Sequence, residues 1–305
     1  MTAHTASVSI QFEDWLPPRT SRWRSAGRLA REYPVGVVAL LILILLIAVA
    51  LAADWIAPYG KTELATGQSL QGPNSTNLLG TDRLGRDLLS RMIYGSRVSL
   101  YVGFAAVALG TIIGSAVGLV SGFVAGWFDL VVQRVMDVLM SIPAILLAMV
   151  VVAAFGTGSS NAMYAIALVF IPSTARVVRS ATLSLKARQF VEAAEASGAS
   201  RLRIITRHIL PIAMDDIMVL ASVGLASAII IEAALSFLGL GVQPPNPSWG
   251  AMLADGRANY STAPHMVYVP AAFISVTVLA ITILGDSVRD ILDPKVRGSS
   301  RANLN

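Results

Sequence analysis

The stretch VGVVALLILILLIAVALAA, Val35–Ala53, decides the class of this protein. Its nineteen residues carry no charge and lie between Pro34 and Asp54. The hydrocarbon core of a bilayer is about 30 Å thick and takes about 20 helical residues to cross. The run therefore has the length of a spanning helix. A secretory signal can look similar, and Ala48, Ala50 and Ala52 imitate a cleavage site. However, 34 residues precede the run and further apolar runs follow, so the segment reads as a retained helix.

Five more runs follow. They are Val98–Val124, Val138–Phe155, Ala162–Val178, Ile212–Ile231 and Val267–Leu284. Pro143 lies inside the third run, which Gly156 and Gly158 close, and Pro172 lies inside the fourth. Neighbouring helices can re-satisfy the backbone groups that such prolines release. The expectation is an all-α membrane protein with six transmembrane helices. The overall composition agrees. Of 305 residues, 55% are apolar and 13% charged, and the mean hydropathy is +0.67. Soluble domains carry about 25% charge. An ordinary soluble enzyme is thereby excluded, and so is a disordered chain.

Basic residues set the orientation. Seventeen of the 23 Lys and Arg precede the first run, follow the last, lie between runs two and three, or fall in the stretch from Arg176 to Arg207. The other six are Lys61, Arg83, Arg86, Arg91, Arg97 and Arg257. This asymmetry predicts that both termini and the 179–211 loop are cytoplasmic. Within the second run, Gly110, Gly114, Gly118, Gly122 and Gly126 recur every four residues. Such a stripe lets another backbone approach closely, and it reads first as a tight helix–helix seam and second as a substrate groove.

Several chemistries are missing. No cysteine is present, so disulfides, thiolate metal sites and cysteine nucleophiles are excluded. His4, His208 and His265 are scattered. There is no GxxxxGK[ST], HExxH or GxSxG pattern. The centres of the runs hold almost no ionisable residue, and Asp137, Asp215 and Asp216 read as boundary residues. A secondary transporter would need charges at mid-span and an internal repeat. A membrane-embedded enzyme would need paired carboxylates or a nucleophile. Transport driven from outside the membrane helices is the remaining reading.

The 179–211 loop is long and built like helix. Leu183, Ala187, Phe190, Ala194 and Ser197 recur at three to four residues, and Gly198 is a natural terminator. A second short helix sets Leu202, Ile205 and Ile209 among Arg201, Arg203 and Arg207, and Pro211 opens the next run. Such a segment can lie on anionic lipid or dock into a groove on a soluble partner.

Here the sequence resembles a known family. Glu192-Ala193-Ala194, then Gly198, then Leu210-Pro211, is similar to the EAA loop of ABC importer permeases. One position departs from that pattern, His208 standing where an aliphatic residue is expected, with Ile209 beside it. Flanking motifs narrow the resemblance. Gly80-Thr81-Asp82 and Gly85-Arg86-Asp87, with Ser90-Arg91, precede the second run. Glu232-Ala233-Ala234-Leu235-Ser236-Phe237, Pro244-Pro245 and Pro247-Ser248-Trp249-Gly250 follow the fifth, and Leu284-Gly285-Asp286 closes the sixth. In this order they resemble the C-type permeases of dipeptide, oligopeptide and nickel importers, the DppC/OppC group.

The resemblance implies a type I importer permease with a MetI-like core in the bacterial inner membrane. It implies a first helix at 34–57, an external loop at 58–96, a permease core at 97–295 with an external loop at about 232–266, and cytoplasmic segments at 1–33 and 296–305. Phe190, Glu192, Ala193, Ala194, Gly198, Leu210 and Pro211 would couple to the ATPase. The implied partners are a second, B-type permease, two ABC ATPases that bind ATP and Mg, an extracytoplasmic solute-binding protein and the bilayer. No nucleic acid, cofactor, metal or catalytic residue is implied in this chain. Peptides are the first cargo implied, with nickel chelates, glutathione-like peptides and haem as alternatives.

The flanking motifs also have physical readings. Asp82, Arg83, Arg86, Asp87 and Arg91 alternate in sign at helical spacing. They can pair and pin an amphipathic segment, or they can contact a docking binding protein. Pro244, Pro245 and Pro247 make a stiff stretch, and Trp249 suits a membrane interface. That loop either gates substrate or simply packs. Asp286, Arg289, Asp290 and Asp293 are expected to cap and pair locally.

Overall fold

A computed structural model describes residues 32–292. Residues 1–31 of the N-terminal segment and the tail beyond 292, with Asp293, Lys295, Arg297 and Arg301, lie outside the described residues. Among the described residues the chain is helical, with one isolated bridge, Thr81 to Asp87.

Among the described residues eleven α-helices follow in order. They are α1 (Pro34–Leu51), α2 (Ala53–Ile56), α3 (Leu88–Val124), α4 (Gly126–Ser141), α5 (Ala144–Phe155), α6 (Ser159–Lys186), α7 (Gln189–Ala196), α8 (Arg201–Ile204), α9 (Leu210–Phe237), α10 (Trp249–Arg257) and α11 (His265–Leu292). A π turn, Ile205–Ile209, joins α8 to α9. Five helical segments are long and apolar enough to cross a membrane: α1, α3, α6, Arg201–Phe237 and α11. The third expected span, Val138–Phe155, is not one straight helix. Helices α4 and α5 meet at 95°. Pro143 has no N–H and cannot continue the ladder of α4, so the chain turns at Ile142-Pro143, where Ile142 is extended.

The glycine stripe builds the central seam, where α3 packs along α6. A Cβ on Gly110 would stand 2.6 Å from the Ala167 carbonyl oxygen, and one on Gly118 would stand 2.5 Å from that of Ala175. Gly114 and Gly122 lie similarly close to Ile171 and Arg179. Four of the five glycines thus form a helix–helix seam, not a substrate groove. Gly126 is the exception. It starts α4 at φ +67°, and a Cβ there would meet nothing within 4 Å.

Helix α9 packs on α3 and α11, while α1 lies against α11 and α3. Leu88, Met92, Leu100, Ile166, Ile229, Leu235, Trp249 and Ile281 form the main core. At 37 residues α3 is about 55 Å long, far more than one bilayer core. Its first ten residues belong to a folded cap at the end of the bundle that carries residues 57–97 and 238–264. The opposite end carries α7 and α8.

Candidate functional site

Helix α7 is joined to α6 by Ala187 and Arg188 alone. That break divides the face expected from Leu183 to Ser197 between two helices. The residue that seats α7 is Val191, which is 1% exposed. It packs with Ile204, Ile209, Ala213 and Ile217 on Leu119 and Phe123 of α3 and Val178 of α6. Ala194 and Ala199 lie half-buried beside them. The helix ends in a Schellman arrangement. The Gly198 N–H donates to Glu195 O at 2.9 Å and the Ala199 N–H donates to Ala194 O at 3.0 Å. This geometry requires a left-handed residue, and Gly198 stands at φ +77°.

Phe190, Glu192, Ala193, Glu195 and Ala196 remain exposed on the outward face of α7. Arg201, Arg203 and Arg207 are exposed on the next turn, and so is Leu202, at 71%. The inward residue of that turn is Ile204, not the expected Leu202. Ser200 caps α8 by accepting from the Arg203 N–H at 3.4 Å. The π turn falls where Pro211 withholds an N–H and its ring presses on the carbonyl four residues back, that of Arg207. Leu210 is half-buried and Pro211 exposed in the first turn of α9.

The acidic and basic signature before α3 is a knotted turn rather than the amphipathic segment expected. Asp82 Oδ1 accepts from the N–H groups of Leu84 and Arg86, at 2.8 and 3.0 Å. Its Oδ2 meets Arg86 Nε at 2.6 Å and Arg91 Nε at 3.4 Å. Asp87 pairs with neither arginine. It caps α3, accepting from the Ser90 N–H and Oγ at 2.7 Å each, while Asn77 Nδ2 donates to its Oδ1 at 3.0 Å. Thr81 Oγ1 donates to Gln68 O and accepts from the Gln71 N–H. Gly80 and Gly85 have positive φ, and a Cβ on Gly85 would lie 2.6 Å from Gly67 O. Asp82, Asp87, Ser90, Arg91 and Thr81 are all buried. Their polar groups are engaged within the chain, which favours pinning over contact with a docking protein. Removing Asp82 would strand a buried guanidinium, a change worth of order 3–5 kcal/mol.

These two structures flank a helical core that matches a known family. The model described as "Binding-protein-dependent transport system inner membrane component" matches residues 91–298. The chain belongs to the binding-protein-dependent ABC importer permeases. Residues 21–73 match a second model, the "N-terminal TM domain of oligopeptide transport permease C". The chain is 45% identical over 277 residues to the glutathione transport system permease protein GsiD of Escherichia coli O6:K15:H31, covering 90% of this chain and 91% of that one. The GsiD protein of Pectobacterium atrosepticum is 44% identical over 276 residues, with 90% and 92% covered. An inward-facing structure of the MetNI methionine ABC transporter shares the fold, with a TM-score of 0.54 at 19% identity, over 66% of this chain and 95% of that one.

Two expectations about the permease are corrected by its packing. Trp249 is not an interfacial anchor. It is fully buried, donates from Nε1 to Met92 O at 3.2 Å, and lies 6.1 Å from the Phe273 ring. Its own N–H donates to Ser99 Oγ at 3.3 Å, so α10 is tied into the core. Pro244 and Pro245 are exposed, whereas Pro247 is buried. The loop is packed back on the cap, where Lys61 Nζ donates to Asn246 Oδ1 at 3.0 Å. Among the described residues, Asp286, Arg289 and Asp290 form no ion pair with one another.

Other polar groups carry no signal in the sequence. Arg179 makes a bidentate pair with Asp129 at 2.5 and 2.6 Å, and Arg176 meets Asp137 at 2.5 Å. Lys186 Nζ donates to Phe123 O at 2.7 Å. Together they clamp α4 and the end of α3 to α6. The partners are 39 to 63 residues apart, beyond any local pattern. Glu232, expected just past a span, is inside α9 and 1% exposed, with Oε1 accepting from Ser236 Oγ at 2.8 Å.

Proposed function

We propose that this permease forms half of the translocation pore of an ATP-driven importer and is itself non-catalytic. The observation that carries the reading is α7. An apolar underside seats it on α3 and α6, and its free face presents Phe190 beside the carboxylates of Glu192 and Glu195. A helix held in this way suits a cleft on a soluble partner that supplies basic groups. The partner would be one of two ABC ATPases, which bind ATP and Mg. A second, B-type permease would complete the pore, and an extracytoplasmic solute-binding protein would deliver cargo. Peptides are the proposed cargo, and the name of the GsiD relatives puts glutathione foremost among them.

The uptake test uses a strain that lacks its own glutathione and peptide importers and carries the chain with its neighbouring subunits. Glutathione or a dipeptide should accumulate, and only while ATP is available. Accumulation of nickel or haem alone would replace the cargo assignment. Accumulation driven by an ion gradient without ATP would overturn the whole reading.

Both termini and α7 are proposed to be cytoplasmic, with the cap external, on the strength of the basic-residue asymmetry. The chain has no cysteine, so single-cysteine labelling needs no prior substitution. An impermeant maleimide should label Arg83→Cys on intact spheroplasts and Ser197→Cys only after permeabilisation. The opposite pattern would invert the topology.

A further inference from the structure

Two adjoining cavities at the external end of α1 and α3 share one residue, Arg97. The first is an apolar groove of about 300 Å³. Ile47, Ala50 and Leu51 of α1 line one wall, and Leu100, Tyr101 and Phe104 of α3 line the other. Both sets recur at three to four residues, so the groove runs along the seam between the helices. From Arg97 to Phe104 it extends about 10 Å along α3. The second is a polar cleft of about 310 Å³ above the mouth of the groove, lined by Asp54, Lys61, Tyr94, Asn246 and Arg97 among others.

Arg97 stands at the junction. Its Nε donates to Ala50 O at 2.9 Å and its Nη2 to Leu51 O at 3.1 Å, which closes the last carbonyls of α1. It also meets Asp54 at 3.0 Å, and 42% of its side chain is exposed. Lys61 binds only a neutral partner, Asn246. The neighbouring Arg91 is consumed by Asp82, and its Nη1 donates to the Lys61 carbonyl. Asp54 is thus taken by Arg97, and the Glu63 carboxylate beside the cleft accepts from the Gly60 N–H at 2.9 Å, so the Lys61 ammonium is the cation of the lining without a carboxylate partner. Trp55, beside Asp54 in the chain, is 87% exposed, and Tyr101 of the groove wall is 65% exposed. Exposed aromatics of this kind mark the headgroup region of a membrane.

We propose that this composite cavity is a binding site for one anionic phospholipid of the external leaflet. An acyl chain would fill the groove between α1 and α3. The phosphate would sit in the cleft, within reach of the Arg97 guanidinium and the Lys61 ammonium. Arg97 Nη1, which makes none of the bonds above, is the guanidinium donor that remains for a phosphate oxygen. A basic pocket between transmembrane helices is the arrangement that selects anionic headgroups. The bound lipid would hold α1, the helix outside the core that matches the importer family, against α3.

The assignment to the external leaflet rests on the orientation proposed above. Binding itself does not, and it is read without ATP or substrate, so its failure and that of the transport reading are separable. The assembled transporter would be purified in mild detergent with equal phosphatidylglycerol and phosphatidylethanolamine, and retained lipids counted by native mass spectrometry. The wild type should keep phosphatidylglycerol at least fivefold over phosphatidylethanolamine, and 10 mM inorganic phosphate should not displace it. Lys61→Glu, a surface change, should bring the two lipids to parity, and Arg97→Gln should remove retention. Equal retention of both lipids by the wild type would overturn the proposal, as would unchanged preference in Lys61→Glu. Displacement by phosphate would reassign the cleft as an anion site without a chain. An empty groove in the complex, covered by a helix of the second permease, would also overturn it.

Discussion

Replacing Gly198 with valine together with Glu192→Ala is expected to lower ATP-driven uptake at least tenfold while leaving the amount of permease in the membrane near normal. Gly198 holds φ +77° so that two N–H groups can close the end of α7. A residue with a Cβ in that region costs roughly 1–2 kcal/mol, and a branched one costs more. A Cβ at Gly198 would meet nothing within 4 Å, so no core packing is lost. The penalty is small beside the 5–15 kcal/mol typical of a folded protein. It falls instead on the direction in which the chain leaves α7, and so on the surface proposed above to meet the ATPase. Gly198→Asn separates the causes, because asparagine visits the left-handed region readily. It should retain most of the uptake. Normal transport by the double variant would remove α7 from the coupling role, and equal loss in Gly198→Asn would remove the backbone explanation.

Gly118→Leu is expected to remove folded permease from the membrane altogether. A Cβ there would lie 2.5 Å from Ala175 O and 2.9 Å from Val178 Cβ. The first obstacle is backbone and cannot rotate away. Ordinary overpacking costs about 1–3 kcal/mol. Here a four-carbon side chain would have to force apart a pair of backbones in direct contact, and the seam it opens runs from Gly110 to Gly122. Gly126→Ala tests the specificity of the effect. Its Cβ would meet open space, and only the positive φ, about 1 kcal/mol, opposes it. Quantitative blotting and size-exclusion profiles of the two variants should differ sharply. Comparable losses would mean that glycine spacing, not contact with α6, is what matters.

The contrast between those glycines shows how far a sequence can be read. Five glycines at four-residue intervals look equivalent, yet the fifth is a helix break, because spacing carries no information about φ. Long apolar runs are legible because a bilayer imposes a length on them. The 95° bend after Ser141 is not legible in size, although Pro143 marks its place. Glu192, Ala193 and Ala194 lie in the short helix α7, but Val191, which seats that helix, has no mark in the sequence. An aliphatic residue one position before the motif attracts no notice until α3 is laid beneath it. Trp249 misleads for a similar reason. An indole suits a membrane interface or a core with an acceptor for its N–H, and only the fold supplies the Met92 carbonyl. Asp82 reads as a helical ion-pair partner, whereas its two oxygens divide between a turn and two arginines. Short-range periodicity does not separate those cases.

The length of α3 has a mechanical consequence. One rigid rod of about 55 Å begins in the buried cap at Asp87 and ends beside Val191, and four glycines fasten it flush to α6. The rod cannot bend at that seam without separating its backbone from that of α6. A tilt of about 5° imposed at its lower end would sweep its upper end through roughly 5 Å, the rise of one helical turn. The turn around Asp82 would travel with it as a single block. Leverage along such a rod would gear the two ends of the bundle to each other.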